Sequence, residues 1–316
     1  MADLPALFAD RDILAARPPK HPVDPARPYA FLVEPECAAS GKVEAVATVF
    51  LTNRECPFRC LMCDLWQNTT DRRVPAGMIP RQIDYALSRL PPAQQIKLYN
   101  SGNFFDRQAI PPEDHAAIAN RVRDFSTVIV ENHPQLCGDD CLRFRDRLHG
   151  RFEIAIGLET IHPDVLPRLN KQMTIADFER AARFLNDHDI ATRAFILLRP
   201  PFMDEQEGLA WAVRSIEFAF AAGVGCCAVI PTRGGNGIME QLRSAGHFAP
   251  PQLSSLEAVI EAGLAMQRGR VFADLWDLEK LFTCEKCGPA RRERLHAMNL
   301  TQKILPRVNC ECGAVA

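Results

Sequence analysis

The chain has 316 residues, 47% of them hydrophobic, which is enough apolar material for one large domain with an appendage. Its 37 basic and 39 acidic side chains leave a net charge of −2, which excludes coating of nucleic acid or anionic membrane by bulk charge and leaves only a local patch for such contacts. The longest uncharged apolar run, 218–230, has 13 residues against the roughly 20 that span a bilayer. The N-terminus, with an early Asp3 and no basic stretch before an apolar core, does not read as a secretory signal. The twelve cysteines therefore fit a reducing, cytoplasmic setting, where clustered thiols usually mean metal rather than disulfides.

Residues 1–43 read as an extended, proline-rich lead-in, because the prolines gathered in 17–28 lack amide donors and favour extended backbone. From residue 44 the texture changes. Strands are expected at 46–51, 96–99, 127–130, 152–157, 194–198, 226–230 and 271–273. Helices are expected between them at 79–90, 111–125, 140–148, 175–186, 205–222 and 253–267. Strand then helix, repeated at least six times, predicts an α/β fold with a parallel sheet covered by helices. No G-x-G-x-x-G loop follows the opening strand, as an open nucleotide-binding sheet would carry. Polar residues recur instead just after the strand ends, which predicts a barrel or partial barrel over 44–276 with its chemistry at one mouth. Residues 277–316 are expected to form a cysteine-rich, metal-binding appendage.

After the first predicted strand, Cys56, Cys60 and Cys63 make a C-x3-C-x2-C run. Thiolates are soft ligands suited to zinc, copper(I) or iron-sulfur centres, and a four-iron cluster takes four of them. Three from one tight loop leave the site a ligand short, so either a distant residue completes it or one metal stays open to a small molecule. Cys37 is available as the distant ligand, although nothing in its spacing singles it out. The plain alternative is zinc, whose sites more often begin with C-x2-C pairs.

The other strand ends add polar groups to the same rim. After the second strand come Ser101, Gly102 and Asn103, a glycine turn flanked by oxygen acceptors for an ammonium group, or simply a tight turn. The third strand leads to His133 and the fourth closes on Glu159, an acid that needs a partner at an apolar strand end. The fifth and sixth deliver Arg199 and Arg233, whose forks bind carboxylates or phosphates or else pair with rim acids. In the appendage, Cys284 and Cys287 are joined by Cys310 and Cys312 beyond a helix expected at 289–305. Four thiolates in two close pairs suit a structural zinc ion, with a second iron-sulfur cluster as the competing occupant. Between them, Arg291, Arg292, Arg294, Lys303 and Arg307 face only Glu293 as an acid. That helix is either a phosphate-contacting surface or an ordinary solvated helix beside an acidic barrel face.

The cysteine spacing, with Met62 before the last cysteine, resembles the signature of the radical S-adenosylmethionine (SAM) superfamily. The resemblance implies a partial six-stranded, TIM-like (β/α)6 barrel with the cluster loop after its first strand. It also implies a 4Fe-4S cluster on Cys56, Cys60 and Cys63, whose fourth iron is chelated by the amino and carboxylate groups of SAM. The loop at Ser101, Gly102 and Asn103 matches the family's loop for the SAM amino group, with Asn103 where an acid is common. Glu159 matches the fourth-strand residue that contacts SAM, and Arg199 and Arg233 become anchors for the SAM carboxylate or an anionic substrate. The text at 52–66, 97–106 and 274–277, with Cys284 and Cys287, is similar to the archaeosine-biosynthesis radical SAM group, itself related to the Elongator-type tRNA-modifying core. This implies reductive cleavage of SAM to a 5′-deoxyadenosyl radical, with electrons from a flavodoxin- or ferredoxin-type donor. The resemblance further implies a tRNA nucleoside as substrate, with a small molecule as the alternative because no separate RNA-binding domain is visible. The rival expectation is a non-enzymatic RNA-binding or scaffold protein whose cysteines all hold zinc.

Overall fold

Eight strands form one sheet in chain order: β1 (Ala30–Cys37), β2 (Val43–Phe50), β3 (Gln95–Tyr99), β4 (Thr127–Asn132), β5 (Arg151–Glu159), β6 (Ala191–Leu198), β7 (Cys226–Pro231) and β8 (Arg270–Ala273). The computed structural model describes residues 7–312. β1 runs antiparallel to β2, and every later neighbour pair is parallel. Each parallel strand is added beside the last, so the order never reverses as it does in a doubly wound sheet, and the sheet curls into a partial barrel. The helices are α1 (Asp10–Ala16), α2 (Met78–Leu87), α3 (His115–Val122), α4 (Asp139–Arg145), α5 (Val165–Arg168), α6 (Ile175–Asp187), α7 (Glu205–Ala221), α8 (Ile238–Ser244), α9 (Leu253–Ala265) and α10 (Gly288–Thr301).

Alternation along the strands separates two interiors. Val49, Leu98, Val130, Ile154, Ile196 and Val229 join the core beneath the helices. The residues between them face the lumen, and its floor is ionic. Glu36 pairs with Lys97 and, at 2.6 Å, with Arg193, while Glu153 pairs with Arg193 at 2.7 Å and Arg270 at 2.8 Å. Burial alone raises the Glu36 carboxyl, but Arg193 and Lys97 hold it well below its ordinary range. Buried charges persist only when so matched; deleting one partner typically costs about 3–5 kcal/mol. One step further along the strands, Tyr99 and Phe195 meet edge to face at 6.3 Å. Charge and aromatic layers thus fill the barrel below its mouth.

The expected alternation is present, and the parallel strands number seven, β2–β8. The stretch read as an irregular lead-in supplies β1. Pro35, Glu34 and Glu36 hide that strand in the sequence. An edge strand tolerates proline, and Glu36 is the buried partner of Lys97 and Arg193. The sheet is not closed by hydrogen bonds between β1 and β8; α10 packs against both strands across that seam.

Candidate functional site

The loop after β2 is held from several sides before any ligand is considered. Its root is fixed by buried Gln82 of α2, which accepts from Thr52 N–H (2.8 Å) and donates to the Thr52 carbonyl (2.7 Å). Leu61 is fully buried beside Ile13, Ile238 and Met239, and its N–H donates to the Leu169 carbonyl at 2.8 Å. Asn170 Nδ2 donates to the Arg59 carbonyl at 2.8 Å. Asn236, between β7 and α8, donates to the carbonyls of Leu61 (2.8 Å) and Cys63 (3.1 Å). Trp66 Nε1 also donates to Cys63 O at 3.1 Å. The cysteine backbone is therefore pre-formed, which lowers the ordering entropy of metal capture.

The three thiols lie where the C-terminal ends of the strands converge. Cys56 Sγ accepts from Asn103 Nδ2 at 3.2 Å. Burial pushes the Cys60 thiol up to about 12, with Lys171 opposing, and burial and the neighbouring Cys60 raise Cys63. Such thiols stay protonated at neutral pH unless a cation holds them as thiolates. Among the described residues, the sulfur atoms crowded within 4.8 Å of one another are those of Cys284, Cys287, Cys310 and Cys312, not these three. Cys37 is excluded as a fourth ligand to these three: it ends β1 beside Cys226, the first residue of β7, at the opposite end of the barrel.

The loop after β3 packs directly on the cysteine loop. A Cβ on Gly102 would lie 3.2 Å from Cys56 Cβ, so only glycine allows this approach without displacement. Ser101 sits at φ 51° and its hydroxyl meets Tyr29 OH at 2.9 Å. Behind the turn, buried Glu131 accepts from Asn100 N–H (2.7 Å) and Gly102 N–H (3.2 Å). Burial pushes the Glu131 carboxyl up to about 7, against those backbone donors. Asn100 keeps both side-chain polar atoms buried without a protein partner.

Glu159 is reached through a register shift at the end of β5 and sits at φ 63°. It pairs with buried Lys171 at 2.6 Å. Gly157 makes this possible, since a Cβ there would overlap both Glu159 Oε1 and Lys171 Nζ. Although burial disfavours its charge, Glu159 and the nearby Cys60 hold the Lys171 ammonium above its usual range. His133 is a brace rather than a proton carrier. Its ring stacks on Phe58 at 3.8 Å, Nε2–H donates to the Lys171 carbonyl (3.0 Å), and Nδ1 accepts from Gln135 N–H (3.2 Å). Burial and Lys171 push its pKa down to about 4, so it stays neutral at physiological pH.

In two places the packing takes the plainer of the alternatives the sequence leaves open. Arg199 pairs with Glu205 (2.6 Å) and donates to the Pro250 carbonyl (2.8 Å). Arg233 pairs with Asp274 (2.8 Å) and donates to Trp276 O. The basic helix is likewise turned onto barrel acids. Arg291 meets Glu257 at 2.6 Å, Arg294 meets Glu257 (3.2 Å) and Glu261 (2.6 Å), and Arg307 meets Glu261 at 2.9 Å. That leaves α10 little charge for a phosphate backbone. Asn236, Lys171 and Glu131 were not singled out as site residues by sequence; the weak signal was an acid or amide just beyond an apolar strand.

Strand order and curl match the partial, TIM-like barrel of the radical SAM fold. Methylornithine synthase superimposes with a TM-score of 0.55 at 13% identity, over 80% of this chain and 70% of that one. SuiB of Streptococcus suis, bound to its precursor peptide SuiA, gives 0.53 at 11% identity, over 70% of this chain and 47% of SuiB. In sequence, the chain is 24% identical to an uncharacterised protein of Methanocaldococcus jannaschii over 92% of its own length and 86% of that protein. It is 27% identical to archaeosine synthase subunit beta of Methanosarcina acetivorans over 70% of its length and 67% of that subunit. No family model matches the chain. Among the described residues, no helix is long and apolar enough to cross a membrane.

Proposed function

We propose that this chain is a radical SAM enzyme in which Cys56, Cys60 and Cys63 hold a 4Fe-4S cluster and the Ser101–Gly102–Asn103 turn and Glu159 border the SAM site. The observation that carries this reading is the pinned three-thiol loop at the barrel mouth, with Cys37 at the far end. When bound, such a cluster passes one electron, supplied by a flavodoxin- or ferredoxin-type donor, to SAM and yields methionine and a 5′-deoxyadenosyl radical.

The chain's own residues prepare that chemistry. Asn103 donates to Cys56 Sγ, as a hydrogen bond to a cluster sulfur does when it moderates thiolate charge. Glu131 fixes the turn through its N–H groups, and Lys171 places a buried positive charge near Cys56 and Cys60. Phe58 stacked on His133 covers one flank and helps keep water from a reactive radical. Similarity to archaeosine synthase subunit beta supports a tRNA nucleoside as the substrate, with a small molecule as the other candidate. In this reading the Cys284, Cys287, Cys310 and Cys312 set is structural and takes a single zinc ion.

The test is anaerobic reconstitution followed by incubation with SAM and dithionite. The reading expects 5′-deoxyadenosine from the wild type and none from Cys56→Ala, Cys60→Ala or Cys63→Ala. A reconstituted wild type that forms no 5′-deoxyadenosine with any reductant sinks it. Comparative mass spectrometry of tRNA nucleosides from a deletion strain then tests the substrate.

A further inference from the structure

We infer that one tetrahedral zinc ion on Cys284, Cys287, Cys310 and Cys312 clamps α10 across the open seam of the barrel, so that a metal-held helix does the work of a missing strand. The inference rests on the single-ion reading of that site. Sγ–Sγ separations are 3.9 Å for Cys284–Cys310 and 3.7 Å for Cys287–Cys312, with all four sulfurs within 4.8 Å. A tetrahedron with zinc-sulfur bonds of about 2.3 Å places its sulfurs about 3.8 Å apart. A four-iron cluster, which puts a cube of metal and sulfide between the thiolates, requires them farther apart.

The seam explains why an ion is needed there. The outer edge of β8 presents backbone groups that another strand would ordinarily pair. Two side-chain amides take them instead, one from α10 and one from Gln302, the residue that caps its C-terminus. Asn299 accepts from Ala273 N–H and donates to Ala273 O, both at 2.8 Å. Gln302 accepts from Val271 N–H (2.8 Å) and donates to Val271 O (3.1 Å). With partners two residues apart on β8 and themselves three apart in the chain, these amides copy the hydrogen bonding of a ninth strand. Leu295 and Met298 are fully buried beneath them.

What keeps the helix in register lies at its two ends. Cys284 and Cys287 precede α10, and Cys310 and Cys312 return after it along an irregular tail. That tail is tied down by Arg294, which donates to the carbonyls of Leu305 (2.6 Å) and Pro306 (2.8 Å). The ion therefore closes a covalent loop around the helix and removes unfolded-state freedom as a cross-link does. Without it, the helix rests on these four amide hydrogen bonds, its packing on β1 and β8 and its ion pairs to α9.

The experiment combines metal analysis with hydrogen exchange on the full-length protein. One zinc per chain is expected, retained when Cys56, Cys60 and Cys63 are all alanine and lost in Cys310→Ser/Cys312→Ser. Iron at these four cysteines, or no metal in freshly purified protein, overturns the ion assignment. Stripping zinc from the wild type with a thiol-reactive mercurial and chelator is expected to speed exchange of the Val271 and Ala273 amides and of α10 by about tenfold or more, with β4 unchanged. Asn299→Ala/Gln302→Ala should reproduce the faster exchange at Val271 and Ala273 while keeping its zinc, which separates clamp from ion even if the cysteine variant misfolds. Unchanged exchange after complete zinc loss overturns the clamp. None of these outcomes depends on SAM cleavage.

Discussion

Asn236→Ala tests whether the cysteine loop is held ready for its cluster by the far side of the barrel. The wild-type amide donates to Leu61 O and Cys63 O and accepts from Met239 N–H at 3.0 Å, with the residue 2% exposed. Alanine removes all three bonds. Each ordinary hydrogen bond contributes about 0.5–1.5 kcal/mol, and a buried group left unpaired costs about 1–3 kcal/mol. Cys63 O keeps Trp66 Nε1, so the loss concentrates on Leu61 O and the start of α8. Together these give about 2–4 kcal/mol against the ordered loop. Because the cluster binds that ordered loop, the same energy appears in cluster retention, roughly 30-fold or more at each 2 kcal/mol. The assay is anaerobic reconstitution, iron and sulfide analysis, then the rate of iron loss to a chelator, with zinc content as an internal control. The variant should lose iron far faster and keep its zinc. Wild-type chelator resistance would refute the bracing role.

Three further outcomes follow from the same geometry. Lys171→Met removes a buried positive charge near Cys56 and Cys60, so the cluster midpoint potential should fall in a redox titration, and Glu159→Gln/Lys171→Met should fold better than Lys171→Met because no unpaired carboxylate remains. Glu131 has a folded-state value raised by burial from 4.5 to about 7; its stabilising contribution is full below about 4.5 and lost as pH rises through about 7. Glu131→Gln should therefore flatten that part of the stability-pH curve by about 3 kcal/mol in urea titrations of the apo-protein at pH 5 and 8; parallel curves for the two proteins would contradict the assignment. Gly157→Ala forces a Cβ onto the Glu159–Lys171 pair and should weaken SAM binding measured by calorimetry while leaving iron content intact.

Most of the barrel is legible because its outer faces are apolar with period two: Val128 and Val130, or Ile154 and Ile156, announce buried strands. β1 is not, because Glu36 reads as solvent-exposed until Lys97 and Arg193 are brought to it across the barrel lumen. The cysteine loop is local and therefore visible in sequence. Its supports are not: Asn236 lies 175 positions from Leu61, and nothing near it in the chain suggests a metal site. Arg199 and Arg233 show the converse: the sequence leaves anion binding and rim pairing equally open, and only the fold brings Glu205 and Asp274 to them. The basic residues of α10 follow the same pattern, since Glu257 and Glu261 belong to the preceding helix α9. Local spacing reveals ligands, whereas compensation is a tertiary property.

An iron left open for SAM by the three-thiol loop is read out by electron paramagnetic resonance of the reduced cluster with SAM labelled at its amino nitrogen. SAM should change the spectrum and introduce a hyperfine coupling to the labelled nitrogen. A reduced cluster with the same spectrum in the presence and absence of SAM, and no coupling to the label, would contradict it.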